Sequence, residues 1–476
     1  MARLIGLDVG TSSLKGLAID EHGSLLAQAE RAYPFETPRP GWAEQDPELW
    51  WQAAQSVLAE LDADRADGIG LSGQMHGLVA LGEDDRPLRP AILWNDGRSQ
   101  EQCDWIEATV GLPRLLELSG NRALAGFTAP KLLWMAEHEP ELHARIRHVL
   151  LPKDYVRLRL TGEHATDVSD ASGTLLFAVA QRAWSGELAD ALAVDQAWLP
   201  AALESPALSG RTKSGVPVAA GGGDQAAGAL GVGVLGSEGP ASVVLGTSGV
   251  VFAARERYTT TTDGSLHAFC HAVPGVWHLM GVMLSAAGSL QWLHEVTGAA
   301  PFEELVAEAA RWEPGVEGLL FAPYLAGERT PYADPLARAA FTGLSLRHDR
   351  GALVRAVLEG VAFGLRDCLE LFGAPPRSAR VSGGGSRGEL WLEILAAVLE
   401  TPLGRTAVDA GAAYGAALLG GVAGGVFASP AEAVEACVRT TSTTNPDAAL
   451  VARYAELRPS FTALYPALRA LRSDAQ

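Results

Sequence analysis

Cationic side chains are scarce in this 476-residue sequence: 37 lysines and arginines face 56 aspartates and glutamates, a formal charge of −19 at pH 7. A surface this acidic repels nucleic acid and anionic membranes, so neither is expected as a partner and a phosphorylated ligand needs a locally built site. Cysteine is rarer still. Cys103, Cys270, Cys368 and Cys437 lie far apart with no CxxC pair, which excludes a disulfide framework and predicts reduced thiols in the cytoplasm. No GxxxxGK[ST] occurs, so the common P-loop architecture is not supported. Long apolar runs are missing as well. Asp8 interrupts MARLIGLDVG and no cleavage-site pattern follows, so no secretory leader is expected. Residues 410–431 are uncharged and carry Gly411 and Gly415 at GxxxG spacing, but they are poor in large apolar side chains and broken by two glycine pairs. They read as a close-packed helix followed by a turn.

What is present describes a globular chain, 48% hydrophobic and 20% charged. Its length exceeds what one core normally supports, so two domains of roughly 200 to 250 residues are expected. Residues 4–20 read strand, GTSS turn, strand, and 242–253 repeat the theme as SVVLGTSGVVFA. The recurrence suggests an internal duplication with a boundary in GSEGPA, giving domains 1–238 and 239–476. Asp46-Pro47 starts a helix with one apolar face. Residues 353–371 and 389–400 are helix-like around a strand at 379–382, and the alternation argues an α/β class with mixed sheets flanked by helices.

Glycine-rich corners are the places where backbone N–H groups can approach phosphate oxygens. In the first hairpin, Gly10, Thr11, Ser12 and Ser13 form such a corner beside Asp8, a carboxylate suited to magnesium near β- and γ-phosphates, though equally at home solvated beside an ordinary hairpin. Lys15 fits a surface charge. Asp224, in VAAGGGDQAAG, fits two roles: a general base for a sugar hydroxyl, and an N-cap for the helix that follows. GQMHG at 73–77 follows a strand and presents Met75 and His76 at a corner suited to a polyol, and a structural histidine fits there too. The corner in VSGGGSRGELW, with Gly383, Gly384 and Gly385, offers bare backbone to a nucleotide. A GxGxxG at Gly231, Gly233 and Gly236 follows a helix-like segment, the wrong context for a dinucleotide fingerprint. His267, Cys270 and His271 in HAFCHA lie in an extended segment without a further ligand pattern, which argues against a metal cluster.

These pieces, in this order, resemble the FGGY carbohydrate kinases over nearly the whole chain. DVGTSSLK (8–15), GQMHG, LRPAILWNDGR (88–98), GFTAPKLLW (126–134), LLPKDYVRLRLTG (150–162) and PYLAGERTP (323–331) carry the resemblance. It implies two ribonuclease-H-like, actin-like ATPase domains, an N-terminal sugar-binding and a C-terminal nucleotide-binding one, with the ligand cleft between them. The implied reaction is ATP-dependent phosphorylation of a small ketose, D-xylulose favoured over ribulose or gluconate. Carried over by motif, Asp224 is the catalytic base and Asp8 the magnesium carboxylate. Met75, His76, Gln225, Trp94, Asn95 and Asp96 border the sugar. Gly10, Thr11, Ser12, Gly246, Thr247 and Ser248, with Gly383, Gly384 and Gly385, face ATP. PYLAGERTP helps shape the cleft, and a homodimer is what the family suggests. Gln225, Ala352 and Ala397 depart from residues frequent in the family. An actin- or chaperone-like ATPase switch shares the expected fold, but leaves GQMHG and GGGDQ without a task.

Overall fold

In the computed structural model, which describes residues 1–473, the chain forms two compact units, each with its own apolar core. The first comprises Met1–Ser237, Ala254–His278 and Ala410–Val438; the second comprises Glu238–Ala253, Leu279–Asp409 and the chain from Arg439 onward. The expected boundary at 238/239 falls where the chain first leaves the first unit. Two segments expected in the second domain, 254–278 and 410–438, cluster with the first instead.

In the first unit, β1 (Leu4–Val9) and β2 (Ser13–Ile19) pair as the expected hairpin, and β3 (Leu25–Ala32) extends it. The near-continuous apolar run of β1 suits a strand covered on both faces: Leu4, Ile5, Leu7 and Val9 are all fully buried. On its other side lies β4 (Gly68–Gly73), parallel to β1 with Asp8 opposite Ser72. Then come β5 (Leu208–Arg211), β6 (Pro217–Ala219) and the short β7 (Gly222–Gly223), giving the order β3-β2-β1-β4-β6-β5, with β7 paired to β4. Between β3 and β4 runs α1 (Pro47–Glu60), where Asp46 accepts from the Glu48 amide as its N-cap.

The second sheet repeats this plan. Its hairpin is β8 (Ala241–Leu245) and β9 (Gly249–Arg255), followed by β10 (Trp277–Met283), β11 (Ala379–Ser382), β12 (Leu403–Thr406) and β13 (Thr440–Thr444). The path β10-β9-β8-β11-β12-β13 follows the order of the first sheet, with one further strand, His267–Cys270, at the β10 end. In both, the first hairpin strand is central, the next two strands lie parallel to it, and the last returns antiparallel. Two short hairpin motifs were the only sequence sign of this duplication. The long helix over 350–370 and the helix Glu389–Leu399 flank β11, close to their expected spans.

The uncharged segment forms α2 (Gly411–Ala423), ending in a turn at Gly424 and Gly425. It lies directly on the first sheet. A Cβ on Gly70 would stand 1.8 Å from the Ala416 carbonyl oxygen, and one on Gly6 1.9 Å from that of Ala413. On the helix itself, a Cβ on Gly415 would come 1.8 Å from the Ala227 carbonyl oxygen. Backbone thus meets backbone, which only glycine permits and which explains a buried helix with so few large side chains. Among the described residues no helix is long and apolar enough to cross a membrane.

Gly70→Val is therefore expected to cost ~3 kcal/mol, the upper end for overpacking because carbonyl backbone cannot step aside. Calorimetry should show a lower Tm; an unchanged Tm would mean that the helix is free to lift off the strands.

Candidate active site

Three strand ends build the site in the first unit. Asp8 on β1 is opposite Ser72 on β4, and Ser72 is opposite Gly222 on β7. All three strands run parallel, so their C-terminal ends share one edge of the sheet. Chain leaving that edge carries the 10–13 turn, Gln74 to Gly77, and Gly223 with Asp224. This is where open α/β sheets present ligand groups, since polar loops converge there above a buried core.

Asp224 is the first residue of the helix Asp224–Gly231; Gly223 occupies the N-cap and no side chain caps the end. The capping role is thus not what occupies this carboxylate. Gly223 donates its N–H to Ser169 Oγ at 3.0 Å. Ser169 in turn donates to Asp167 Oδ2 at 2.5 Å, which also accepts from Ser205. Behind them Lys153 sits fully buried, 2.8 Å from Asp167, 2.6 Å from Asp154 and 3.1 Å from Asp170. A buried ammonium among three carboxylates is held charged, and it fixes the Asp167 side chain on which the Gly223 backbone depends.

Burial pushes the Asp224 carboxyl up to about 7, and the like charge of Asp8 adds to the rise; hydrogen bonds from Gln225 pull the other way. Burial also lifts Asp8 to about 6, against the Lys15 charge and the Ser72 hydroxyl. Two buried carboxyls, one of them raised further by the other's charge, make a natural seat for a cation. Asp8 Oδ1 is buried with no hydrogen-bond partner, an acceptor left open.

The hairpin tip ties three sequence motifs together. Thr11 Oγ1 donates to Gln74 Oε1 at 3.1 Å and accepts from Trp94 Nε1 at 3.0 Å. The Gly10 amide turns inward to the carbonyls of Ser13 and Asp8, whereas the amides of Thr11 and Ser12 meet no acceptor among the described residues. Met75 packs on Gly223, where a Cβ would lie 2.8 Å from its sulfur. His76 has left-handed backbone (φ 70°), stacks on Phe127 at 4.4 Å, and sets Nδ1 2.7 Å from the Gly173 carbonyl oxygen. Its own carbonyl accepts from buried Lys131 and from Thr128.

The WNDG corner divides. Trp94 joins the hairpin tip and Asn95 is exposed, but Asp96 is committed elsewhere. Its oxygens accept from the Ala43 amide and from Arg98 at 2.9 and 2.7 Å, a forked pair with both side chains fully buried. That ion pair, with Trp42 3.7 Å from the guanidinium, makes Asp96 a brace for the corner and leaves it no open acceptor for a sugar. His267 faces Asn121, His271 the Val234 carbonyl, and Cys270 the Val179 carbonyl, so the three turn to separate partners.

In the second unit two glycine corners meet. Val244 is opposite Ser382, and a Cβ on Gly383 (φ 87°) would stand 2.8 Å from the Leu245 carbonyl oxygen and 3.1 Å from Gly246 N. Gly246, Thr247 and Ser248 thus share one sheet edge with Gly383, Gly384 and Gly385, with Thr247 and Gly384 exposed. The Gly246 and Thr247 carbonyls accept from the amides of Ala287 and Gly288. Glu328 turns inward, where it accepts from Leu284 and Arg329 amides. Ala352 leaves its N-terminal turn capped by Asp349, and Ala397 is buried. Gln74, Ser169, Asp167 and Lys153 were not singled out from the sequence. The last three lie 54 or more residues from Gly223 or within family-like segments whose buried charges read locally as surface.

Two mixed sheets of one plan, with acidic and glycine-rich strand ends, define a phosphotransferase-type α/β architecture. Family models agree: residues 3–231 match the N-terminal domain and residues 241–424 the C-terminal domain of the FGGY family of carbohydrate kinases. The chain belongs to this family. It is 42% identical to a xylulose kinase of Escherichia coli K12, over 98% of this chain and 99% of that one. A crystal structure of a "xyloylose kinase" from Brucella ovis superposes with a TM-score of 0.92 at 42% identity, covering 98% and 100% of the two chains. A gluconate kinase of Lactobacillus acidophilus superposes at 0.93 over the full length of both chains but at 24% identity, a likeness of fold alone.

Both raised carboxyls bind protons more tightly folded than unfolded, so stability is lost as pH rises from about 4 through 7. In magnesium-free buffer, Asp224→Asn is expected to have a higher Tm than the unsubstituted protein at pH 8, with a smaller gap at pH 5. A gap independent of pH would show that Asp224 is not raised.

Proposed function

We propose that this chain phosphorylates D-xylulose to D-xylulose 5-phosphate with ATP, using Asp224 as general base and magnesium held at Asp8. The observation that carries the reading is the pair of raised carboxylates at one strand edge. A carboxyl pushed up to about 7 is ionised in about half the molecules near neutral pH yet basic enough to take a proton from a sugar hydroxyl as the phosphoryl group arrives. When bound, magnesium offsets charge on the β- and γ-phosphates. The open Oδ1 of Asp8 and its like-charged neighbour fit a hydrated cation of this kind. Met75, Gln225, Trp94 and exposed Asn95 border the sugar, and His76 orients it through the ring that Phe127 and the Gly173 carbonyl hold in place. The unpaired amides of Thr11 and Ser12 receive phosphate oxygens, and the corners at Gly246 to Ser248 and Gly383 to Gly385 contact the nucleotide. Free ketose and ATP as substrates place the reaction in the cytoplasm.

The 42% identity to the xylulose kinase of Escherichia coli supports D-xylulose over other sugars. ADP release with Mg-ATP should be stimulated by D-xylulose well above D-ribulose, L-ribulose, gluconate, glycerol or no sugar. Asp224→Ala should lose roughly 10²- to 10⁴-fold in kcat. Sugar-independent hydrolysis that survives the substitution would replace the kinase with an ATPase switch, and a different preferred sugar would replace D-xylulose. The limb of kcat against pH should rise through about 7 as Asp224 loses its proton.

Ser169→Ala strips the Gly223 N–H of its acceptor. It is expected to lower kcat by up to ~10²-fold through misplacement of the base, with little change in KM for the sugar. Equal losses in both constants would point to a general loosening of the unit.

A further inference from the structure

We propose that Asp85, His148 and His164 form a site for a divalent transition cation of the zinc class. One ligand atom from each lies within 4.8 Å of the others. They come from three segments that the fold brings together. Asp85 sits in the 82–86 turn, closed by the Gly82 amide on the Arg86 carbonyl at 3.0 Å. His148 opens the strand His148–Leu150, paired opposite Leu81 immediately before that turn. His164 directly precedes the strand Ala165–Asp167.

The donor set is the right chemistry. Two imidazoles and a carboxylate suit zinc, nickel or cobalt, whereas magnesium prefers an all-oxygen shell. His164 Nε2 lies 2.7 Å from Asp85 Oδ1; since a carboxylate only accepts, Nε2 carries the proton that the cation displaces to Nδ1. The two ring centroids stack 3.9 Å apart at 27°, so the rings must splay for both in-plane lone pairs to meet at one cation.

The arginines next in sequence to Asp85 and His148 do not compete. Arg86 pairs with Asp84 at 3.4 Å, and Arg147 turns its guanidinium onto the Ala144 and Ile146 carbonyls. All three ligands are partly exposed, which leaves a fourth position for water. None of them belongs to the carboxylate edge, so the site is independent of the proposed phosphoryl transfer. A bound cation would cross-link the turn and two strand ends.

The test titrates the metal-free full chain with Zn²⁺ by calorimetry and follows Tm. One equivalent should bind with a rise in Tm, and His148→Gln and His164→Ala should each weaken it by at least roughly tenfold. Both variants should keep the sugar-dependent ADP release of the parent in zinc-free buffer, as a check of folding. Zinc bound equally well by both variants, or binding with no rise in Tm, would overturn the site.

Discussion

Helix α2 lies on β1 and β4 backbone to backbone, with glycine on the strand side at Gly6, Gly68 and Gly70 and on the helix side at Gly420. The same helix grips the segment that begins with Asp224, because a Cβ on Gly415 would collide with the Ala227 carbonyl and one on Gly231 would stand 2.9 Å from Gly415 N. One rigid element therefore fixes both the strand that delivers Asp8 and the helix that delivers Asp224. Contacts this close have no side-chain slack, so the separation of the two carboxylates is set by main chain alone.

That rigidity is needed because the pair opposes its own ionisation. Burial raises both carboxyls, and the Asp8 charge raises Asp224 further, so a looser scaffold would relax by letting them part or hydrate. The buried cluster of Lys153 with Asp154, Asp167 and Asp170 works to the same end from below, since it holds Ser169 and hence the Gly223 amide. An active edge built this way trades stability for a base poised near neutral pH.

Much of this was legible in the sequence where the signal is local. The hairpins, the strand at 379–382, the Asp46 cap and the glycine corners depend on neighbours within a few residues, and they lie where the pattern puts them. Asp8 and Asp224 stood out as acids beside glycine-rich turns. Asp96 misled for the same reason: WNDG reads as an open corner, and only the fold shows Arg98 stacked on Trp42 and claiming the carboxylate. Ser169 and Asp167 gave no local sign, because their role is a single hydrogen bond to an amide far along the chain.

The sequence by itself determined the class of chain: two α/β halves with recurring hairpins, an acidic surface, and an ordered set of motifs like that of the FGGY kinases. The halves and the acidic surface follow from composition and short-range periodicity, which the chain carries before it folds, and the motif order is a resemblance carried by the residues themselves. Only the tertiary structure decided that 410–438 belongs with the first unit, that the two sheets share one strand order, and that Asp224 titrates near Asp8 rather than alone. The physical reason is common to all three. Close packing and electrostatic coupling depend on through-space distance, and residues remote in sequence become neighbours only when the sheet and its covering helix have closed around them.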